Sequence, residues 1–140
     1  MENQSQTIQK IIKQTRTIAV VGLSSDPGRA GYYVPAYLQD VGYRILPVNP
    51  NLITALGETA YPDLASLPLT PDLVLLFQRS EKVPPFVEQA IQKGVKAVWM
   101  QLGIRNESAA EKARQAGLDV VQDRCMLVEH RRLASHLRLE

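Results

Sequence analysis

The chain has 140 residues, 45% of them hydrophobic and 21% charged, with a formal net charge of +2. This describes an ordinary soluble globular chain, expected as one domain over residues 1–140, long enough for a sheet covered on both faces. Scattered basic residues argue against a nucleic-acid surface, one cysteine (Cys125) excludes an internal disulfide framework, and no apolar run nears the ~20 residues of a membrane helix.

Ile8, Ile11 and Ile12 share one helical face, so residues 5–14 read as a short lead-in helix with no signal-peptide core. Thr17–Val21 is a continuous apolar run ended by Gly22, the pattern of a strand buried on both sides. A helix is predicted over residues 32–41, with Pro35 in its first turn and Gly42 as its stop. Residues 43–48 form the second strand, closed by Asn49-Pro50-Asn51. Residues 52–69 are the least regular stretch, where Asp63 is placed to cap a short helical turn through Leu67.

The third strand covers residues 72–77, followed by a helix over residues 83–93 with Pro84 and Pro85 in its first turn. Residues 95–100 form the fourth strand. Asn106 is a good cap for a helix over residues 107–115, which Gly117 ends. Residues 118–121 form the fifth strand, and a last helix covers residues 126–137. Unbroken alternation of strand and helix predicts an α/β fold in three layers: a doubly wound parallel sheet of about five strands, expected in the order 3-2-1-4-5.

Ligands of such sheets bind beyond the carboxyl ends of the strands, where the strand order reverses. Residues 22–31, 49–51, 78–80, 100–105 and 123–125 are therefore the segments to examine. In the first loop, Gly22 permits a tight turn, and Ser24 and Ser25 can offer hydroxyl and backbone N–H donors to a phosphate. Arg29 can place a guanidinium fork on an anionic oxygen, with the following helix pointing its N-terminus at the same place. An NAD site wants a carboxylate at the end of the second strand, and Pro47-Val48-Asn49-Pro50 has none. That leaves NADP open and favours a ligand whose ribose already carries a phosphate, such as coenzyme A.

These segments together resemble the stand-alone CoA-binding proteins, whose fold is shared with the CoA-binding domain of the succinyl-CoA synthetase alpha subunit. The resemblance runs from about Thr17 to Leu133. It rests on Ala19-Val20-Val21-Gly22 with the serine loop and Pro27-x-Arg29, and on Gly42-Tyr43-Arg44 with Pro47-Val48-Asn49-Pro50. It continues through Trp99-Met100-Gln101-x-Gly103-Ile104 and Asp123-Arg124-Cys125-x-x-x-Glu129-His130. The resemblance implies that Gly22, Ser24, Ser25, Pro27 and Arg29 line the nucleotide phosphates, while Asn49 and Pro50 border the adenosine. It further implies that Phe77, Gln78 and Arg79 flank the ligand, and that Met100, Gln101 and Gly103 face the pantetheine. Two departures stand out. Serines replace the glycine-rich first loop of the synthetase, and Asn51-Leu52-Ile53 stands where that domain has a lysine, which shifts charge neutralisation onto Arg29 and Arg79.

Few residues invite a catalytic reading. Cys125 beside Arg124 at a helix start is a candidate nucleophile, although a small buried filler is the commoner role for such a cysteine. Glu129 and His130 are neighbours on a helix and point apart, so a salt-bridge or capping role is expected there. Trp99 can stack on adenine or sit in the core, and alternation puts it on the opposite face from Met100. Two separated histidines and one cysteine make no zinc set, and no Walker-type lysine follows the first glycine.

The expectation is a Rossmann-like, cytoplasmic, monomeric or homodimeric protein that binds coenzyme A or an acyl-CoA. It is expected to lack catalysis of its own and to bind neither nucleic acid nor membrane. Two alternatives stay open. One is a small NAD(P)-dependent oxidoreductase or acyl-CoA-using transferase; the other is a CoA-sensing module that docks on a partner.

Overall fold

The computed structural model describes residues 3–139. Helix α1 (Gln4–Gln14) opens on Asn3, whose side chain accepts from Gln6 N–H while the Gln6 side chain returns to Asn3 N–H, closing a capping box. Then come β1 (Thr17–Val21), α2 (Ala30–Asp40), β2 (Arg44–Val48), and a small hairpin of β3 (Thr54–Ala55) and β4 (Glu58–Thr59). Strand β5 (Leu73–Leu76) leads through a 3₁₀ turn, Ser80–Lys82, into α3 (Val83–Lys93). The chain continues with β6 (Ala97–Met100), α4 (Glu107–Gln115), β7 (Asp119–Val121) and α5 (Met126–Leu139).

Five strands form one parallel sheet in the order β2-β1-β5-β6-β7. Alternation along β1 sends Ile18 and Val20 to one face, where they pack with α1, α2 and α5. Ala19 and Val21 turn to the other face, against α3, α4 and the buried Leu64 and Leu67 of the connecting loop. The architecture is the α/β doubly wound sheet expected, in three layers.

The order of its strands is not the expected 3-2-1-4-5. Counted over the main sheet it is 2-1-3-4-5: the third strand, β5, lies beside β1, and β2 is left at the edge. The physical reason is written in β2. Pro47 has no N–H, and its carbonyl accepts from Tyr61 N–H, so its donor-less side faces away from β1. Such a residue suits an edge strand and not an interior one. Because α2 winds over one face and α3 and α4 over the other, a constant crossover hand carries the chain in opposite directions from β1. The reversal therefore falls between β1 and β5, which brings residues 22–31 against residues 77–80.

Helix α2 begins two residues earlier than expected, so Pro35 lies in its second turn. Helices α3 and α4 match their predicted spans, with Gly94 left-handed at φ 84° and Asn106 accepting from Ala109 N–H at 3.0 Å. Asp63 caps a turn through Ser66, without a helix following.

Candidate functional site

The loop after β1 is held in place by a set of hydrogen bonds. Gly22 adopts φ +85°, and a Cβ there would lie 2.8 Å from the Phe77 carbonyl oxygen and 2.9 Å from Gln78 Nε2. Only glycine allows the ends of β1 and β5 to approach this closely. The Gly22 N–H donates to the Val48 carbonyl at 3.0 Å, and Asn49 Nδ2 donates to the Leu23 carbonyl at 2.9 Å. Ser24 Oγ accepts from Asp26 N–H, and Asp26 Oδ1 accepts from Gly28 N–H, each at 3.0 Å.

One further bond depends on a proline. Pro35 has no N–H, so the Gly31 carbonyl four residues earlier lacks its helical donor. Ser24 N–H takes that carbonyl at 3.0 Å and ties the loop to the first turn of α2. This corrects the expectation for Ser24: its backbone donor is spent inside the protein, and its hydroxyl hydrogen is what remains for a ligand.

Helix α2 starts at Arg29, which makes no side-chain capping bond. Tyr32 and Tyr33 N–H both turn back to the Arg29 carbonyl, at 2.9 and 3.0 Å. Ala30 and Gly31, at the first two helical positions, carry N–H groups that a helix cannot satisfy internally. Both residues line a depression of about 360 Å³ with Gly22, Ser24, Arg29 and Phe77. The Arg29 side chain is 76% exposed and pairs with Asp26 at 3.8 Å. A pair this exposed holds its partners weakly, so the guanidinium is available to another anion. Positive helix end, open N–H groups and a loosely held arginine converge on one spot. That spot suits an oxyanion.

Of the residues expected at the ligand, Gly22, Ser24, Arg29 and Phe77 meet in this depression. Ser25 and Pro27 are exposed in the same loop, and Pro50 and Arg79 are exposed on flanking turns. Asn49 is half-buried and latches the loop from behind, its Oδ1 accepting from Asn51 N–H at 2.8 Å. Gln78 is half-buried against Gly22. Met100 needs correction: its side chain lies wholly in the α3/α4 core. Gln101 is also buried, its Oε1 accepting from Met126 N–H at 3.3 Å as a cap on α5. These side chains hold the fold, and the exposed surface of that loop belongs to Leu102 and Gly103. Gly103, at φ +85°, donates its N–H to Asp123 Oδ1 at 2.7 Å. Trp99 is core, on the face opposite Met100, with its indole N–H on the Arg124 carbonyl at 2.8 Å. Ala30 and Gly31 were absent from the sequence-derived set; a glycine four residues ahead of a proline was the available signal.

Cys125 is half-buried at the start of α5 and lines a second pocket, of about 550 Å³, between α1 and α5. Glu129 is buried beside it, its carboxylate gripped by Arg132 at 2.8 and 3.0 Å with Arg124 at 4.0 Å. His130 turns away, with Nδ1 2.7 Å from the Tyr37 hydroxyl, while Arg131 lies 5.2 Å over the Tyr37 ring. Burial lowers the His130 pKa, and burial, then the Tyr37 charge, push Tyr43 up to about 12. This cluster joins α2 to α5, while the salt bridge expected in the segment is that of Glu129 with Arg132. Among the described residues no group of His, Cys, Asp and Glu is arranged to hold a metal, and no helix is long and apolar enough to cross a membrane.

A family model described as a CoA binding domain matches residues 16–131. The chain is 37% identical over 131 residues to the uncharacterised protein YneT of Bacillus subtilis, covering 93% of this chain and 97% of that one. It is 30% identical over 95 residues to the ADP-forming acetate–CoA ligase II of Archaeoglobus fulgidus, covering 66% of this chain and 14% of that ligase. A solved structure of a hypothetical protein from Pyrococcus horikoshii superposes with a TM-score of 0.89 at 38% identity, covering 96% of this chain and 99% of that one.

Proposed function

The chain belongs to the CoA binding domain family, and from that premise we propose that it binds coenzyme A at the start of α2. The observation that carries the reading is the uncapped first turn of α2, with Ala30, Gly31 and Arg29 around one depression. There the diphosphate of the ligand accepts from the Ala30 and Gly31 N–H groups and from the Ser24 hydroxyl, and Arg29 adds the mobile positive charge. The adenosine lies toward Asn49 and Pro50, and the pantetheine leads away past Phe77 and Gly103.

The ligand's chemistry fits what β2 lacks. Its last residues, Pro47 and Val48, and the following Asn49 and Pro50 offer no carboxylate to hold free ribose hydroxyls. A phosphorylated ribose needs none. The depression contains no paired acid and base, and Cys125 lines the other pocket, so the reading is of a binding protein without chemistry of its own.

Calorimetric titration with CoA, dephospho-CoA, NAD and NADP tests it. CoA should bind most tightly and dephospho-CoA more weakly. NAD binding as tight as CoA overturns the assignment.

A further inference from the structure

Resting on that reading, we infer that the pocket between α1 and α5 receives the far end of the ligand and takes a short, uncharged acyl group. The two cavities lie along one edge of the sheet. The first opens at the carboxyl end of β1, and the second includes the turn that follows β7. In the observed order β1-β5-β6-β7 they are three strand spacings apart, about 14 Å. The phosphopantetheine arm has about as many chain bonds as four extended residues, so it spans roughly 14 Å as well. An arm anchored by its phosphate at Ala30 and Gly31 therefore ends at the second pocket.

The turn between the cavities is fixed rather than loose. Asp123 holds φ +57°, a left-handed conformation unusual for a side-chain-bearing residue, and accepts the Gly103 N–H at 2.7 Å. That bond joins the loops after β6 and β7 into one rim.

The lining of the pocket selects its occupant. Ile8 and Leu133 contribute apolar wall and Cys125 a thiol, while Leu102 (65% exposed) and Val128 (45% exposed) form an apolar lip. Large aliphatic side chains brought together in an open pocket favour an apolar cover. The formal charges lining it sum to zero over Arg124, Arg132, Asp123 and Glu129. Both arginines turn to Glu129, which holds Arg132 through both oxygens, while Asp123 accepts the Gly103 N–H. An occupant with its own charge would give up hydration against the apolar wall, where the arginines already serve Glu129. A thioester carrying a few methylenes fits; a carboxylate-ended acyl chain does not.

The test compares free CoA, butyryl-CoA and succinyl-CoA by calorimetry on the wild-type chain, Leu102→Asp and Val128→Asp. Both substituted positions are exposed, so the variants should fold, and circular dichroism checks this. Wild type should bind butyryl-CoA at least fivefold more tightly than CoA, and succinyl-CoA no more tightly than CoA. In either variant the butyryl-to-CoA ratio should fall to about one. Butyryl-CoA should also protect Cys125, the sole cysteine, from alkylation several-fold better than ADP does. Equal affinities for CoA and butyryl-CoA in wild type, or a preference that survives both variants, overturn the acyl pocket while the CoA reading stands. Failure of free CoA itself to bind removes both.

Discussion

Arg29 divides its work between main chain and side chain. Its carbonyl receives two N–H groups and starts α2, while its guanidinium stands exposed, 3.8 Å from Asp26. Truncation should therefore spare the helix and remove only the charge. Arg29→Ala is expected to weaken CoA by about 1.5–3 kcal/mol, the range of a hydrogen bond to a charged group, without lowering the melting temperature. Isothermal titration and thermal melts measure the two effects separately. Unchanged affinity would exclude the guanidinium from the phosphates. Residues whose role depends on near neighbours were legible in the sequence: Asn106 reads as a cap three positions ahead of the N–H it binds. Met100 and Gln101 were misread because ligand contact at a strand end depends on which neighbour covers the side chain. Only the fold shows that α3 and α4 bury one and that α5 borrows the other.

Among the elements, α2 carries the most consequence for the site, and its key residue never touches the depression. Pro35 releases the Gly31 carbonyl, and Ser24 N–H takes it. Pro35→Ala restores a helical donor that competes for the same oxygen, so the loop after β1 should loosen. The Ser24 amide should exchange roughly fivefold faster, the equivalent of losing about 1 kcal/mol from one hydrogen bond. Hydrogen exchange followed by NMR checks this, and unaltered Ser24 protection would deny the coupling. Strands and helices themselves were readable because glycine stops and apolar runs are local signals. Strand order is a property of pairing, which no local run encodes. The clue was Pro47, whose missing donor belongs on an edge; with β2 placed there, the site moves to the junction of β1 and β5.

Over the whole molecule, opposite ends of the sheet do different work. At the amino ends of the strands, Asp72 Oδ2 accepts from Arg16 N–H, Thr17 N–H and the Thr17 hydroxyl at 2.9 to 3.3 Å, with Lys96 at 3.9 Å. Burial works to raise its pKa, but the Arg16 and Thr17 bonds and the Lys96 charge outweigh burial, and the carboxyl ends below its ordinary range. A depressed folded value means that the unfolded chain binds the proton more readily. The stabilisation is thus complete above the unfolded value of about 3.9 and fades as pH falls through the folded one. Asp72→Ala should cost about 2 kcal/mol at neutral pH, and the gap to wild type should narrow below about pH 4. Urea melts across that range decide it; a gap independent of pH would mean that the charge contributes nothing. The proposed CoA site lies at the carboxyl ends, with the first turn of α2 proposed to hold the phosphates. The most direct measurement is the amide NMR spectrum during titration with CoA. Ala30 and Gly31 N–H should shift most, with smaller changes at Gly22, Ser24 and Phe77. Saturable CoA binding that leaves Ala30 and Gly31 unmoved would contradict the claim.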